Sequence, residues 1–220
     1  MTFAQTERTE LCDLLDVVGP DAPTLCAGWS AHDLAAHLWI RETDPLAIPG
    51  MLARPLSGLT ERRLAETKQR FPFVDLVDKL RHGPARFSVF AFPGVDEGAN
   101  TTEFFVHHED VRRAGDHPSP PRDLGAEDED WVWRRLKLLG RAFFRRAKVG
   151  VVLERAVDPA LSPRDEPESL RVMGGSATVT LVGQPSELLL FAHGRNAVAA
   201  VKLVGESESI DLLNGTELST

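Results

Sequence analysis

The chain has 220 residues, 33 acidic against 25 basic, a formal charge of −8 and 42% hydrophobic residues. Such a length and apolar content bury a core in one large domain or two small ones, while the negative balance argues against nucleic acid or an anionic membrane, which need clustered positive charge. A small molecule is the expected partner.

In chain order, residues 3 to 18 set Leu11, Leu14, Leu15 and Val18 among charged residues, predicting an amphipathic helix that ends before Gly19-Pro20. Its start has neither a basic nor an apolar leader region, and no apolar run reaches about 18 residues, so a cytoplasmic location is expected. Cys12 and Cys26 form no disulfide framework and no paired metal-binding spacing. Ser30-Ala31-His32-Asp33 has the form of a capping box and predicts a second helix to about Thr43, with Ala31, Leu34, Leu38 and Arg41 on one face and His37 turned inward beside them. The prolines and glycines from Asp44 to Gly58 predict a long connection. Thr60 to Arg70 and Val74 to Arg81 read as helical, an interrupted third helix around Pro72. Gly83 to Asn100 reads as loop with an apolar piece at residues 87 to 92, and 101 to 114 as the fourth helix.

Gly115 to Gly125, with Pro118, Pro120 and Pro121, reads as a linker before a fifth helix from Glu127 to Ala147. Seven basic residues lie between Arg134 and Lys148, interrupted by core-type residues, and are read as a solvated face. From Gly150 the period becomes strand-like: 151 to 157, 169 to 173, 177 to 182 and 199 to 204, with helices at 185 to 193 and 208 to 213. The expected class is α+β: a four-helix core within residues 1–115, a linker and fifth helix over 116–149, and a small α+β domain over 150–220.

The fourth helix carries the chemistry. At about 100° per residue, Glu103, His107, Asp110 and Ala114 fall within an arc of roughly 60°, flanked by Phe104, Phe105, Val106 and Val111. A Glu and a His four apart can converge on one ion. Each residue also has a structural reading: His37 as a hydrogen-bonded core histidine, and Glu103 as the last residue of an Asn100-Thr101-Thr102-Glu103 capping pattern. His107 and His108 cannot both face one site, since neighbouring helix residues diverge by about 100°.

Together these residues resemble a known family. Leu25-Cys26-Ala27-Gly28-Trp29-Ser30, followed by Asp33-Leu34 and His37-Leu38, is similar to the signature of the mycothiol-dependent maleylpyruvate isomerase N-terminal domain, related to the DinB-like four-helix bundles. Glu103-Phe104-Phe105-Val106-His107 matches that family's second motif, and residues 179–183, 187–190 and Gly194-Arg195 resemble the small domain that often follows. The resemblance implies metal ligands at His37, Glu103 and His107. Two imidazoles and a carboxylate suit Zn²⁺, with Ni²⁺ or Fe²⁺ as alternatives, and leave a position for water or substrate. It also implies mycothiol, a low-molecular-weight thiol, as cosubstrate. Asp110 is then placed to orient His107 or pair with an arginine. Arg195 is either an anion-binding residue of the small domain or a surface arginine after a helix cap.

Three functions remain open at this level. The first is a thiol-dependent isomerase or transferase, with which the 20 arginines against 5 lysines agree as an actinobacterial trait. The second is a zinc hydrolase, with Glu109 or Asp110 as base. The third is a non-catalytic metal- or ligand-binding protein, and on every reading a monomer or homodimer is expected.

Overall fold

Local signals set the first helices. In the computed structural model, which describes residues 2–44, 57–83, 95–156 and 167–218, α1 spans Phe3–Val18 and opens with a capping box: Gln5 N–H donates to Thr2 Oγ1 and Thr2 N–H to Gln5 Oε1. It stops at Gly19, whose φ of 79° ordinary side chains rarely adopt. The Ser30–Asp33 capping box starts α2, Ala31–Thr43, as expected. Asp33 also accepts from Lys68 of α3, Ser57–Arg70, so one carboxylate caps a helix and ties down its neighbour. The interrupted third helix resolves into α3 and α4, Phe73–His82, with Pro72 at the N-cap of the second.

The expected loop from Gly83 to Asn100 is overturned in part: α5 runs Val95–Arg112, starting before the expected 101. Gly98 and the charged Asp96 and Glu97 hide the helical period, although one glycine inside a helix costs only about 1 kcal/mol. The apolar piece at 87–92, like most of the connection after Asp44, lies outside the described residues.

These five helices belong to one compact unit, Met1–Pro120. Leu11, Leu15, Leu34, Leu38, Leu76 and Leu80 are at most 1% exposed and form its core with Phe73, Phe104 and Val111. Each buried leucine contributes about 1.5–3 kcal/mol, and truncation to alanine costs about 2–5. Beside this core runs a buried polar seam. Arg8 of α1 donates to both carboxylate oxygens of Glu42 on α2 and stacks over the Phe104 ring, 4.3 Å from its centroid. Asn100 of α5 donates to Glu42 at 2.9 Å and accepts from Arg41. The seam fixes α1, α2 and α5 in mutual register.

The second unit is Pro121–Thr220. Its first helix, α6, spans Gly125–Phe143 and packs on α7, Pro185–Ala192, and on strand β2, Ser169–Met173, so the fifth helix is built into this unit. It ends earlier than expected because the chain tightens into three-residue turns, with Arg145 N–H donating to Ala142 O and Ala147 N–H to Phe144 O. The sheet has the order β2-β1-β3-β4, formed by Gly150–Arg155 (β1), Ser169–Met173 (β2), Thr178–Gly183 (β3) and Lys202–Val204 (β4). Its central pair, β1 and β3, is parallel, and both outer pairings are antiparallel. Every residue of α7 is buried, which its Leu188-Leu189-Leu190-Phe191 run requires. Buried Glu129 of α6 caps the start of α7, accepting from Ser186 N–H and O–H. At Gly140 an added Cβ would lie 2.6 Å from Val172 Cγ1, so the close approach of α6 to β2 requires glycine. Helix α8, Ser207–Asn214, completes the unit. The chain is thus of mixed α+β class, and no described helix is long and apolar enough to cross a membrane.

Candidate metal centre

Helices α2 and α5 bring the three sequence-predicted ligands together. The capping box at Ser30 sets the phase of α2 so that Leu34 and Leu38 enter the core and His37, on the same face, turns toward α5. On α5, Phe104 and Val111 enter the core while Glu103 and His107 stand one turn apart. One ligand atom from each of His37, Glu103 and His107 lies within 4.8 Å of the others. His107 Nε2 is 3.4 Å from Glu103 Oε2, and the His37 and His107 rings meet edge to face at 5.2 Å. Around a tetrahedral Zn²⁺, adjacent N and O ligands sit about 3.3 Å apart.

The capping reading of Glu103 fails, because α5 begins at Val95 and Asn100 spends its side chain on Arg41 and Glu42. Glu103 instead faces His107 and, at 3.7 Å, Arg41. Its side chain is 34% exposed, against 10% for His107 and 0% for Asp110, so the cluster is open at the Glu103 end and closed behind.

Behind His107 lies a second layer. His107 Nδ1 is 2.9 Å from Asp110 Oδ2, the same oxygen to which the Cys26 thiol donates at 3.2 Å. With Nδ1–H donating to Asp110, release of the proton on Nε2 leaves there a lone pair aimed at Glu103, the tautomer a ligand needs. Cys26 arrives on a loop pinned to α5 by Leu25 N–H donating to Asp110 O and braced by Thr24, whose hydroxyl accepts from Cys26 N–H. Sequence reasoning missed Cys26 as a site residue, since 81 residues separate it from His107 and no cysteine spacing points to it.

The electrostatics suit a cation. Burial drives His37 down to about 3, helped by the neighbouring His107, so it is a neutral imidazole. Its Nδ1 is buried without a hydrogen-bond partner, an orphaned atom that a bound ion or its water would satisfy. Burial opposes charge on His107 as well, but hydrogen bonds to Asp110, Cys26 and Glu103 outweigh it and raise its pKa well above the ordinary value. Glu103 is likewise opposed by burial, yet His107 and Arg41 hold its carboxyl well below the usual range. Without an ion, the proton on His107 takes the place of a cation.

The remaining candidates lie elsewhere. His108 turns to the other side of α5, its Nδ1 3.1 Å from Glu7 Oε2. Glu109 is buried against Arg112 and Arg113. Arg195 belongs to the second unit, where its Nη1 donates to His193 O at 2.6 Å, beside Gly194 with its φ of 79°.

Comparison with protein-family models, curated proteins and solved structures gives no match for this chain.

Proposed function

We propose that the first unit is a DinB-like helical bundle holding a divalent metal, Zn²⁺ first among the choices, through His37, Glu103 and His107, and that the protein is a thiol-dependent metalloenzyme of isomerase or transferase type. The observation that carries this reading is the convergence of those three side chains with Glu103 open to solvent and Asp110 behind His107. Three protein ligands leave a position for an exogenous molecule, whereas purely structural zinc is normally closed by four. When bound, such an ion supplies Lewis-acid chemistry that holds a coordinated thiol or water in its deprotonated form at neutral pH. The chain's own residues do the rest: Asp110 fixes the His107 tautomer, Arg41, held by Asn100, faces Glu103 at 3.7 Å, and the Trp29 ring packs 4.9 Å from that of His37. Mycothiol as the thiol, and Arg195 as a residue receiving an anionic group of the substrate, follow from the resemblance of the sequence motifs.

A hydrolase is less well supported. It needs a carboxylate base beside the ion, and both candidates are committed, Glu109 to two arginines and Asp110 to His107 and Cys26.

The test is metal analysis of the purified protein, then mycothiol titration of the Co²⁺-substituted form, with Cys26→Ser alongside to separate any signal from the protein's own thiol. A new thiolate-to-cobalt band is expected in both proteins, and no band at saturating thiol rejects thiol chemistry. His37→Ala and His107→Ala should each reduce bound Co²⁺ to background, and His108→Ala should leave it unchanged. If His108 is essential instead, the ligand set is wrong.

A further inference from the structure

His107 faces two donor sets, one on each ring nitrogen. Nε2 points to Glu103 and His37. Nδ1 points to Asp110 Oδ2 at 2.9 Å and to Cys26 Sγ at 3.9 Å, with Cys26 Sγ and Asp110 Oδ2 themselves 3.2 Å apart. Sulfur, nitrogen and oxygen ligands of one tetrahedral ion lie about 3.3–3.6 Å apart, given metal bonds of roughly 2.3 Å to sulfur and 2.0–2.2 Å to nitrogen and oxygen. The Cys26–His107–Asp110 triangle therefore needs shifts of only a few tenths of an ångström to hold an ion. Asp110 is fully buried and Cys26 half-buried, so an ion would enter from the Cys26 side.

From this juxtaposition we infer that Cys26, His107 Nδ1 and Asp110 form a second, thiophilic cation site that is mutually exclusive with the His37–Glu103–His107 site. The exclusion follows from the imidazole ring, because a neutral histidine carries one lone pair and one N–H. An ion on Nε2 leaves Nδ1–H to donate to Asp110. An ion on Nδ1 leaves Nε2–H to donate to Glu103, 3.4 Å away. Each tautomer is held by the carboxylate belonging to the other site, so His107 serves either set and not both at once. Occupation of the second site releases two protons to solvent, one from the Cys26 thiol and one from Nδ1 of the protonated His107, and leaves Nε2–H in place. The donor chemistry grades the ions: two imidazoles and a carboxylate suit Zn²⁺ and Co²⁺, while the thiolate set also accepts Zn²⁺ and gains most with a softer ion such as Cd²⁺.

The inference shares His107 with the proposed function, and the test separates them. Full-length protein is titrated with Cd²⁺, reading the ultraviolet thiolate-to-cadmium band and the affinity, in the wild type, Cys26→Ser and His37→Ala. Serine keeps an O–H donor for Asp110, which guards the fold. The expected result is a band of one cadmium per chain that persists in His37→Ala and vanishes in Cys26→Ser, with affinity for Cd²⁺ falling at least tenfold. Preloading with Co²⁺ should weaken Cd²⁺ binding in proportion to the cobalt bound. Cd²⁺ binding without a thiolate band, or a band surviving Cys26→Ser, overturns the second site. Co²⁺ and Cd²⁺ bound together at full stoichiometry overturns the exclusion. Failure of the first site alone would appear differently, as Co²⁺ affinity indifferent to His37→Ala.

Discussion

Glu103→Gln separates a metal ligand from a mere polar neighbour, because the change keeps shape and helix propensity and removes only the charge. In the metal-free protein, Glu103 Oε2 lies 3.4 Å from His107 Nε2. At an effective dielectric near 20 that pair has a gross attraction of roughly 5 kcal/mol, which solvent screening at a third-exposed carboxylate reduces to about 1–2 kcal/mol. A divalent ion carries twice the charge and binds at about 2 Å, so the carboxylate should matter about three times as much to the ion as to the proton on His107. Part of that gain is offset, since without Glu103 the competing proton on His107 is held less tightly. The net expectation is a loss of about 3–4 kcal/mol of metal binding, two to three decades in Kd. The assay is Zn²⁺ affinity by competition with a chromophoric chelator, together with Tm with and without Zn²⁺. Glu103→Gln should keep its far-ultraviolet circular dichroism and lose zinc-dependent stabilisation. Full occupancy with undiminished stabilisation would remove Glu103 from the site and refute the reasoning.

Three further outcomes are expected. The raised His107 pKa contributes stability that is complete below its unfolded value of about 6.5 and lost as pH rises through the folded value, while His37, at about 3 when folded, costs stability as pH falls below about 6.5. The metal-free protein should therefore weaken in both directions from near-neutral pH, whereas Zn²⁺ affinity should rise with pH because ion and proton compete for His107. Thermal melts from pH 5 to 9 in chelator and in Zn²⁺ check this, and an apoprotein that keeps gaining stability above pH 7 contradicts it. Cys12, 1% exposed, has its thiol pushed up to about 12 by burial, so a disulfide reagent at pH 8 should titrate one thiol per native chain, Cys26, and two after denaturation. Two fast native thiols would refute the packing of α1. Glu42→Ala strands the buried Arg8 guanidinium and should destabilise the first unit by about 3–5 kcal/mol in urea, and a loss under 1 kcal/mol would mean that Arg8 reaches water.

Chain-local patterns determined most of the elements. The Ser30–Asp33 box, the breaks at Gly19 and Pro72, proline at the first turn of α7 and the change of period at Gly150 each act over a few residues, and each can be seen in one dimension. The Glu103–His107 pair belongs to the same category, because spacing four along a helix puts both on one face whatever surrounds it. Tertiary structure decided what needed distant partners. Helix α5 starts at Val95 although Gly98 and its charged neighbours blur the period, and Asn100, a capping residue by pattern, is taken up by Arg41 and Glu42 of another helix. His108 and His107, adjacent in sequence, separate because α1 offers Glu7 to one while α2 and the 24–29 loop surround the other. Cys26 lies within the motif that carries the family resemblance, yet nothing marked it as a site residue, since its approach to His107 depends on a loop tied to Asp110 from 84 residues away. Helix periodicity fixes direction about one axis, but which groups meet across two axes depends on packing of the whole core, and this chain makes its candidate metal centre there.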